Sequence, residues 1–192
     1  MCHDRGTGAG GQRLIEARRL GRVLAIAGSD SGGGAGIQAD IQTITALGGY
    51  ATTAVTALTA QDTRGVHAIH RVPPAFVARQ IAVVLEDIGA DAVKTGMLGD
   101  AATIEAVCDA VAVHAPGVTL AVDPVLRETG GGPPLLADAA LGTLPRRPLP
   151  MASVVTPTCP RRRRCRGSRC VIATTCGTPH VRCWRSGCQR CC

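Results

Sequence analysis

Val23–Ala27 reads VLAIA, Ala27–Asp40 reads AGSDSGGGAGIQAD, and Ile37–Gly49 reads IQADIQTITALGG. A short apolar run that stops at a glycine is the signature of a buried strand. In the third segment Ile37, Ile41, Ile44 and Leu47 recur at helical spacing, and Gly48–Gly49 supply a helix C-cap signal. The three overlapping segments therefore read as strand, glycine turn and helix.

The same alternation continues outward. ATTAVTAL (51–58) is rich in Thr and Val and predicts a second strand. TAQDTRG (59–65) reads as a loop, and VHAIHRV (66–72) as a short extended piece. Pro73–Pro74 open a helix that continues through Phe76–Ile88. DAVKTGML (91–98) is a strand running into a glycine turn, and Asp100 caps a helix over roughly 101–114. VTLAVDPVL (118–126) is a strand, ETGGGPP (128–134) a loop, LLADAALGTL (135–144) a short helix, and ASVVTPT (152–158) begins another strand. These strands are continuous apolar runs separated by helix-length spacers. That pattern predicts an α/β fold with a parallel sheet covered by helices on both faces. Ligands of such sheets bind beyond the carboxyl ends of the strands. Gly28, Gln61, Met97 and Val125 each follow an expected strand and should meet on that rim.

Composition divides the 192 residues unevenly. The formal net charge is +7, yet residues 1–158 sum to −2 and residues 159–192 to +9. Eight of the ten cysteines also lie in 159–192. The basic character belongs to this last stretch, so the body gives no support to nucleic acid as a partner. No apolar run reaches transmembrane length, and residues 1–22 lack the apolar core of a secretory signal, which points to a cytoplasmic protein without a membrane partner. Residues 1–21 read as a flexible extension, 22–157 as the folded body and 158–192 as a separate tail.

Successive glycines let backbone approach a ligand closely, and the free N–H groups of the following helix favour an anion or another acceptor. Gly34–Ala39 formally fits the dinucleotide pattern G-x-G-x-x-A. The acid that pattern needs is missing, because residues 50–61 contain no Asp or Glu. A Walker-type phosphate loop is excluded too, since Lys94 is the only lysine.

AGSDSGGGAGIQAD (27–40), TALTAQDTRGV (56–66), VKTGML (93–98) and VDPV (122–125) occur in this order and at these spacings. Together they resemble the hydroxymethylpyrimidine/phosphomethylpyrimidine kinases of thiamine biosynthesis, members of the ribokinase-like superfamily. The resemblance covers about residues 22–157. It implies a three-layer α/β/α, Rossmann-like parallel sheet that is incomplete at the C-terminus. It also implies ATP and Mg²⁺ as cofactors, a small pyrimidine as substrate, and a homodimer. The reaction would be phosphorylation of 4-amino-5-hydroxymethyl-2-methylpyrimidine and then of its monophosphate. By resemblance Asp40 and Gln61 hydrogen-bond the aminopyrimidine edge. Gly28, Met97 and Val125 line the ring pocket, and Asp123 organises Mg²⁺ and phosphate. Such polar groups can read a pyrimidine edge, and Met and Val walls suit a flat ring. Read without the resemblance, Asp40 is a helix-surface acid, Gln61 a solvated loop residue, Met97 plain core and Asp123 a turn former. A pyridoxal-type kinase of the same superfamily, and a non-catalytic pyrimidine-binding protein with a basic tail, are the alternatives.

The resemblance stops after VVTP. The family continues T-P-N-L-P-E-A-E-A-L, whereas this chain reads T-P-T-C-P-R-R-R-R-C (156–165), with Thr158 in place of the Asn and Arg161 in place of the Glu. One choice of codons for Thr158–Cys165, read from its third base, encodes L-P-E-A-E-A-L. The tail therefore reads as an out-of-frame product, expected to be disordered. Zinc binding by His180, Cys183, Cys188 and Cys191 lacks a second C-x-x-C pair. A disulfide scaffold and a phosphate-binding Arg run at 161–169 are the other readings. No cysteine sits in the G-T-G-C-T type of motif that carries the family's general base, so catalytic residues are expected to be absent and the chain inactive.

Overall fold

The computed structural model describes residues 20–125, 135–137, 140, 142–156 and 182–183. The chain runs β1 (Arg22–Ala27), α1 (Gly36–Ala46), β2 (Tyr50–Val55), β3 (Ala57–Asp62), β4 (Gly65–Arg71), α2 (Pro74–Asp87), β5 (Ala92–Thr95), α3 (Ala101–His114), β6 (Thr119–Val122), α4 (Pro148–Met151), β7 (Val154–Val155) and β8 (Arg182–Cys183). Six strands form one sheet in the order β2-β1-β5-β6-β7-β8, and every neighbour in it is parallel.

Side chains alternate across a strand, and that alternation builds three layers. Leu24 and Ile26 of β1, Val93 and Thr95 of β5, and Leu120 and Val122 of β6 are all buried. Their apolar members pack with Val77, Ile81 and Leu85 of α2 and with Ile104, Val107 and Val111 of α3. Lys94 points to the opposite face, where its Nζ meets Asp40 of α1. Helices α2 and α3 thus cover one face and α1 the other. Fully burying a side chain such as Ile26 or Ile81 is worth about 2 kcal/mol. Helix α1 has no buried residue, and Ile41 and Leu47 stay exposed.

Several boundaries match their sequence signals. Asp100 accepts the Thr103 N–H at 2.8 Å and caps α3. Gly48 (φ +77°) follows α1, and the Gly49 N–H returns to the Ile44 carbonyl at 2.8 Å. Other expectations are corrected. The expected strand 51–58 breaks at Thr56 into β2 and β3. The expected loop 59–65 is instead part of an antiparallel hairpin, β3–β4. Asp62 closes its turn by accepting the Arg64 and Gly65 N–H groups at 2.8 and 3.1 Å. The strands expected at 118–126 and 152–158 are shorter among the described residues, because 123–125 are irregular and only Val154–Val155 pair. In the expected helix 135–144 the described residues make turns and a 3₁₀ step, and a short helix follows at Pro148–Met151. Residues 1–19, the loop 128–134 and the tail apart from β8 lie outside the described residues. β8 itself pairs Arg182 with Val154 and Cys183 with Val155.

Candidate substrate site

The chain leaves β1 toward β2 on one side, while β5 and β6 extend the sheet on the other. Strand order therefore reverses between β1 and β5, and a crevice opens at the carboxyl ends of such a pair. Gly28 follows β1 and Gly96–Met97 follow β5, so both line this switch point. The two walls touch: a Cβ built on Gly28 would run into the Met97 Cε. Thr56 fastens them, donating its hydroxyl to the Met97 carbonyl at 2.6 Å and its N–H to the Ala27 carbonyl at 3.0 Å. Replacing buried Thr56 by valine keeps the shape and strands that carbonyl, so Thr56→Val is expected to cost about 1–2 kcal/mol in urea unfolding.

The glycine loop is ordered by its own side chains. Asp30, 5% exposed, accepts the N–H of Gly32 on Oδ1 at 2.8 Å, and those of Gly34 and Ala35 on Oδ2 at 3.0 and 2.8 Å. Gln38, one turn into α1, accepts the Asp30 N–H at 2.8 Å and donates to Ser29 Oγ at 2.9 Å. The Ile37 N–H closes on the Gly28 carbonyl at 3.0 Å. Gly36 has φ +58°, and a Cβ there would strike the same carbonyl.

The hairpin abuts the loop. Ser31 Oγ donates to the Gln61 carbonyl at 2.8 Å and accepts the Gln61 N–H at 2.7 Å. Thr59 donates its hydroxyl to the Ser29 carbonyl at 2.8 Å. A register shift between Ala60 and Gln61 accompanies this contact. Gln61 is thus carried to the rim by a strand, not by the expected loop.

On the α1 side of the rim stand Asp40, Lys94 and Asp123. Lys94 Nζ donates to Asp40 Oδ2 at 2.9 Å, and their side chains are 28% and 17% exposed. Asp40 thus spends one carboxylate oxygen on lysine. Asp123 Oδ1 is buried, with no hydrogen-bond partner among the described residues. Burial raises the Asp123 pKa, Lys94 draws it back down, and the Asp40 charge raises it again. A raised native pKa lowers stability as pH rises from the ordinary Asp value through the raised one, because the unfolded carboxyl ionises more readily. Asp123→Asn is therefore expected to raise the melting temperature at pH 7. That gain should shrink as pH falls through the raised native pKa and vanish below the ordinary Asp value of about 3.9.

Val125 donates its N–H to the Asp123 carbonyl at 2.9 Å. Val125, Asp123, Thr95, Gly96 and Leu98 line a narrow hollow of about 10 Å³ at this end. A larger hollow, about 370 Å³, lies at the amino ends of the strands. Polar side chains around it are paired, Arg22 with Asp91 and His114 with Glu86, and the strand order places no switch point there.

The structure thus brings Gly28 against Met97, Asp40 against Lys94, Val125 beside Asp123, and Gln61 onto the glycine loop. Sequence reading missed Asp30, Gln38, Thr56 and Lys94. An Asp two residues before a glycine is an Asx-turn signal that could have pointed to Asp30. Cys108 is buried in α3, and burial is the main cause that pushes its thiol up to about 11, so it is a packing residue and not a nucleophile.

The parallel sheet covered by helices on both faces, with this glycine loop at the end of its first strand, is a three-layer α/β fold of the ribokinase-like type. The family model for phosphomethylpyrimidine kinase matches residues 30–174, and the chain belongs to that family. It is 51% identical over 136 residues to the hydroxymethylpyrimidine/phosphomethylpyrimidine kinase of Mycobacterium leprae, covering 71% of this chain and 48% of that relative. To a thiamine biosynthesis bifunctional protein of Geobacter sulfurreducens it is 50% identical over 148 residues, covering 77% of this chain and 30% of the relative. Among solved structures, the phosphomethylpyrimidine kinase of Clostridium difficile is 40% identical with a TM-score of 0.66, covering 71% of this chain and 58% of that one. The pyridoxal kinase of Staphylococcus aureus in complex with AMP-PCP and pyridoxal is 34% identical with a TM-score of 0.62, covering 72% and 48%. The chain spans about half the length of the curated kinases it matches. Among the described residues no helix is long and apolar enough to cross a membrane.

Proposed function

We propose that residues 22–157 carry the pyrimidine-recognition part of an ATP-dependent kinase acting on 4-amino-5-hydroxymethyl-2-methylpyrimidine and its monophosphate. The observation that carries this reading is the meeting of Gly28 and Met97 at the switch point between β1 and β5, with Asp123 and Val125 following the neighbouring strand β6. Family membership gives that rim its substrate class. Met97 and Val125 supply apolar walls for a flat ring, and Gly28 leaves room for the Met97 side chain that forms one of them. Gln61 and Asp40 read the polar edge of the ring.

ATP and Mg²⁺ are the proposed co-substrate and ion. A buried carboxylate oxygen without a hydrogen-bond partner among the described residues, Asp123 Oδ1, is the hard donor Mg²⁺ prefers. Among the described residues no three His, Cys, Asp or Glu side chains stand close enough to form a metal cage. That suits an ion held chiefly by phosphates, with Asp123 as its protein contact. When bound, Mg²⁺ neutralises charge on the phosphates being transferred. Lys94, ion-paired with Asp40, also draws the Asp123 pKa down and so offsets part of the negative charge of the two acids. Assembly as a homodimer and a cytoplasmic location complete the proposal.

The sequence as given is proposed to bind without turnover, since none of its ten cysteines lies in the anion-hole motif expected of the general base. Residues 158–192 are proposed to be out of frame, supported by nine Arg, eight Cys and no acid within 159–192. Two measurements test this. Sequencing the source DNA across codons 155–165 should show that one base restores L-P-E-A-E-A-L; an unrestorable frame overturns the tail assignment. Incubating the chain with labelled ATP, Mg²⁺ and the pyrimidine should give no product above the protein-free control. Turnover at an ordinary enzyme rate of about 1 s⁻¹ or more would overturn the claim of inactivity.

A further inference from the structure

The N–H groups of a glycine-rich turn and a helix start make a ready-made receptor for an anion. Here the receptor is already filled. Both Asp30 carboxylate oxygens are engaged, by Gly32 on one and by Gly34 and Ala35 on the other. Two further donors are used within the loop: Gly33 N–H goes to the Asp30 carbonyl at 3.0 Å, and Ile37 N–H to the Gly28 carbonyl at 3.0 Å. Asp30 is 5% exposed, so its carboxylate lies inside the loop and not above it. Its own N–H is pinned by Gln38, which also holds Ser29. The loop shape that sets Gly28 against Met97 thus depends on one internal charge.

From this we infer that the glycine loop is an anion receptor closed by the chain's own Asp30 carboxylate. Asp30 is then a positioning residue that fixes Gly28 and Ser29 at the rim, and phosphate, whether from substrate or nucleotide, is received elsewhere on the rim. The inference rests on the proposed function only in calling that rim a ligand site.

The full chain and two variants test it with probes that do not involve the pyrimidine. In the unmodified protein, inorganic phosphate should leave the amide resonances of Gly32, Gly34 and Ala35 unmoved. A saturable shift of those three amides would show the loop open to external anions and overturn the inference. Asp30→Ala vacates the receptor, and its melting temperature should fall by about 5 °C or more. Sodium formate should then recover at least half of that loss by binding the vacated site, while sodium chloride at equal ionic strength should recover none. Equal recovery by the two salts would contradict the receptor. Asp30→Asn keeps the shape but turns one acceptor into a donor facing N–H groups, so it should also melt lower than the unmodified chain. Should Asp30→Ala fail to fold, this variant decides alone, and wild-type melting by Asp30→Asn overturns the inference. Failure of pyrimidine binding would leave all of these readouts unchanged, so the two readings fail separately.

Discussion

Replacing Gly36 by alanine lowers the unfolding free energy by about 3 kcal/mol, from left-handed strain together with a collision that cannot be relieved. Gly36 has φ +58°, and its missing Cβ would strike the Gly28 carbonyl, a backbone atom that also accepts the Ile37 N–H. Neither partner can rotate away. Either α1 shifts outward or the turn at Gly28 opens. Urea unfolding measures the loss. A Gly36→Ala chain within about 1 kcal/mol of the unmodified one would mean that the loop is more yielding than the structure shows.

The second large effect falls on binding and not on stability. Gly28 also lacks room for a Cβ, but its obstacle is Met97 Cε, the free end of a flexible side chain. Gly28→Ala is therefore expected to cost less than about 1 kcal/mol of stability, because the methionine can swing aside. It swings into the space proposed for the pyrimidine ring. The dissociation constant should rise about 10- to 100-fold, equivalent to about 1.4–2.7 kcal/mol. Parallel urea and calorimetric measurements on Gly28→Ala and Gly36→Ala separate the two roles. Equal losses in both assays for both variants would contradict the assignment of Gly28 to the ligand side of the loop.

Much of the fold is legible because buried parallel strands announce themselves. VLAIA (23–27), VTLAV (118–122) and the Pro-initiated helix α2 carry patterns that only one environment satisfies. Of the β3–β4 hairpin, β4 is legible as the extended piece read at 66–72, whereas β3, read from Thr59 on as a loop, is hidden for the converse reason. Among the described residues the two strands pair only with each other, half their length is polar, and Leu58 is 50% exposed, so no continuous apolar run marks β3. The break at Thr56 is equally hidden, since it depends on the hydroxyl reaching Met97, 41 residues further on.

The site divides in the same way. Glycine spacing reveals that 28–36 must turn tightly, and strand ends reveal which residues share a rim. What occupies the turn is not legible from composition, because an Asp in a glycine run reads equally as a solvated acid. Asp40 shows the limit most clearly. Its helical position is readable, but its Oδ2 goes to Lys94, 54 residues away, and no local pattern announces that pairing.

Calorimetric titration of the full chain with 4-amino-5-hydroxymethyl-2-methylpyrimidine, run beside an identical titration with pyridoxal, tests the central claim most directly. One-to-one binding of the aminopyrimidine, weaker binding of pyridoxal, and loss of the preference in Gln61→Ala, where the group proposed to read the polar edge is removed, are the expected results. Absence of pyrimidine binding by a folded chain, or tighter binding of pyridoxal, would contradict the claim.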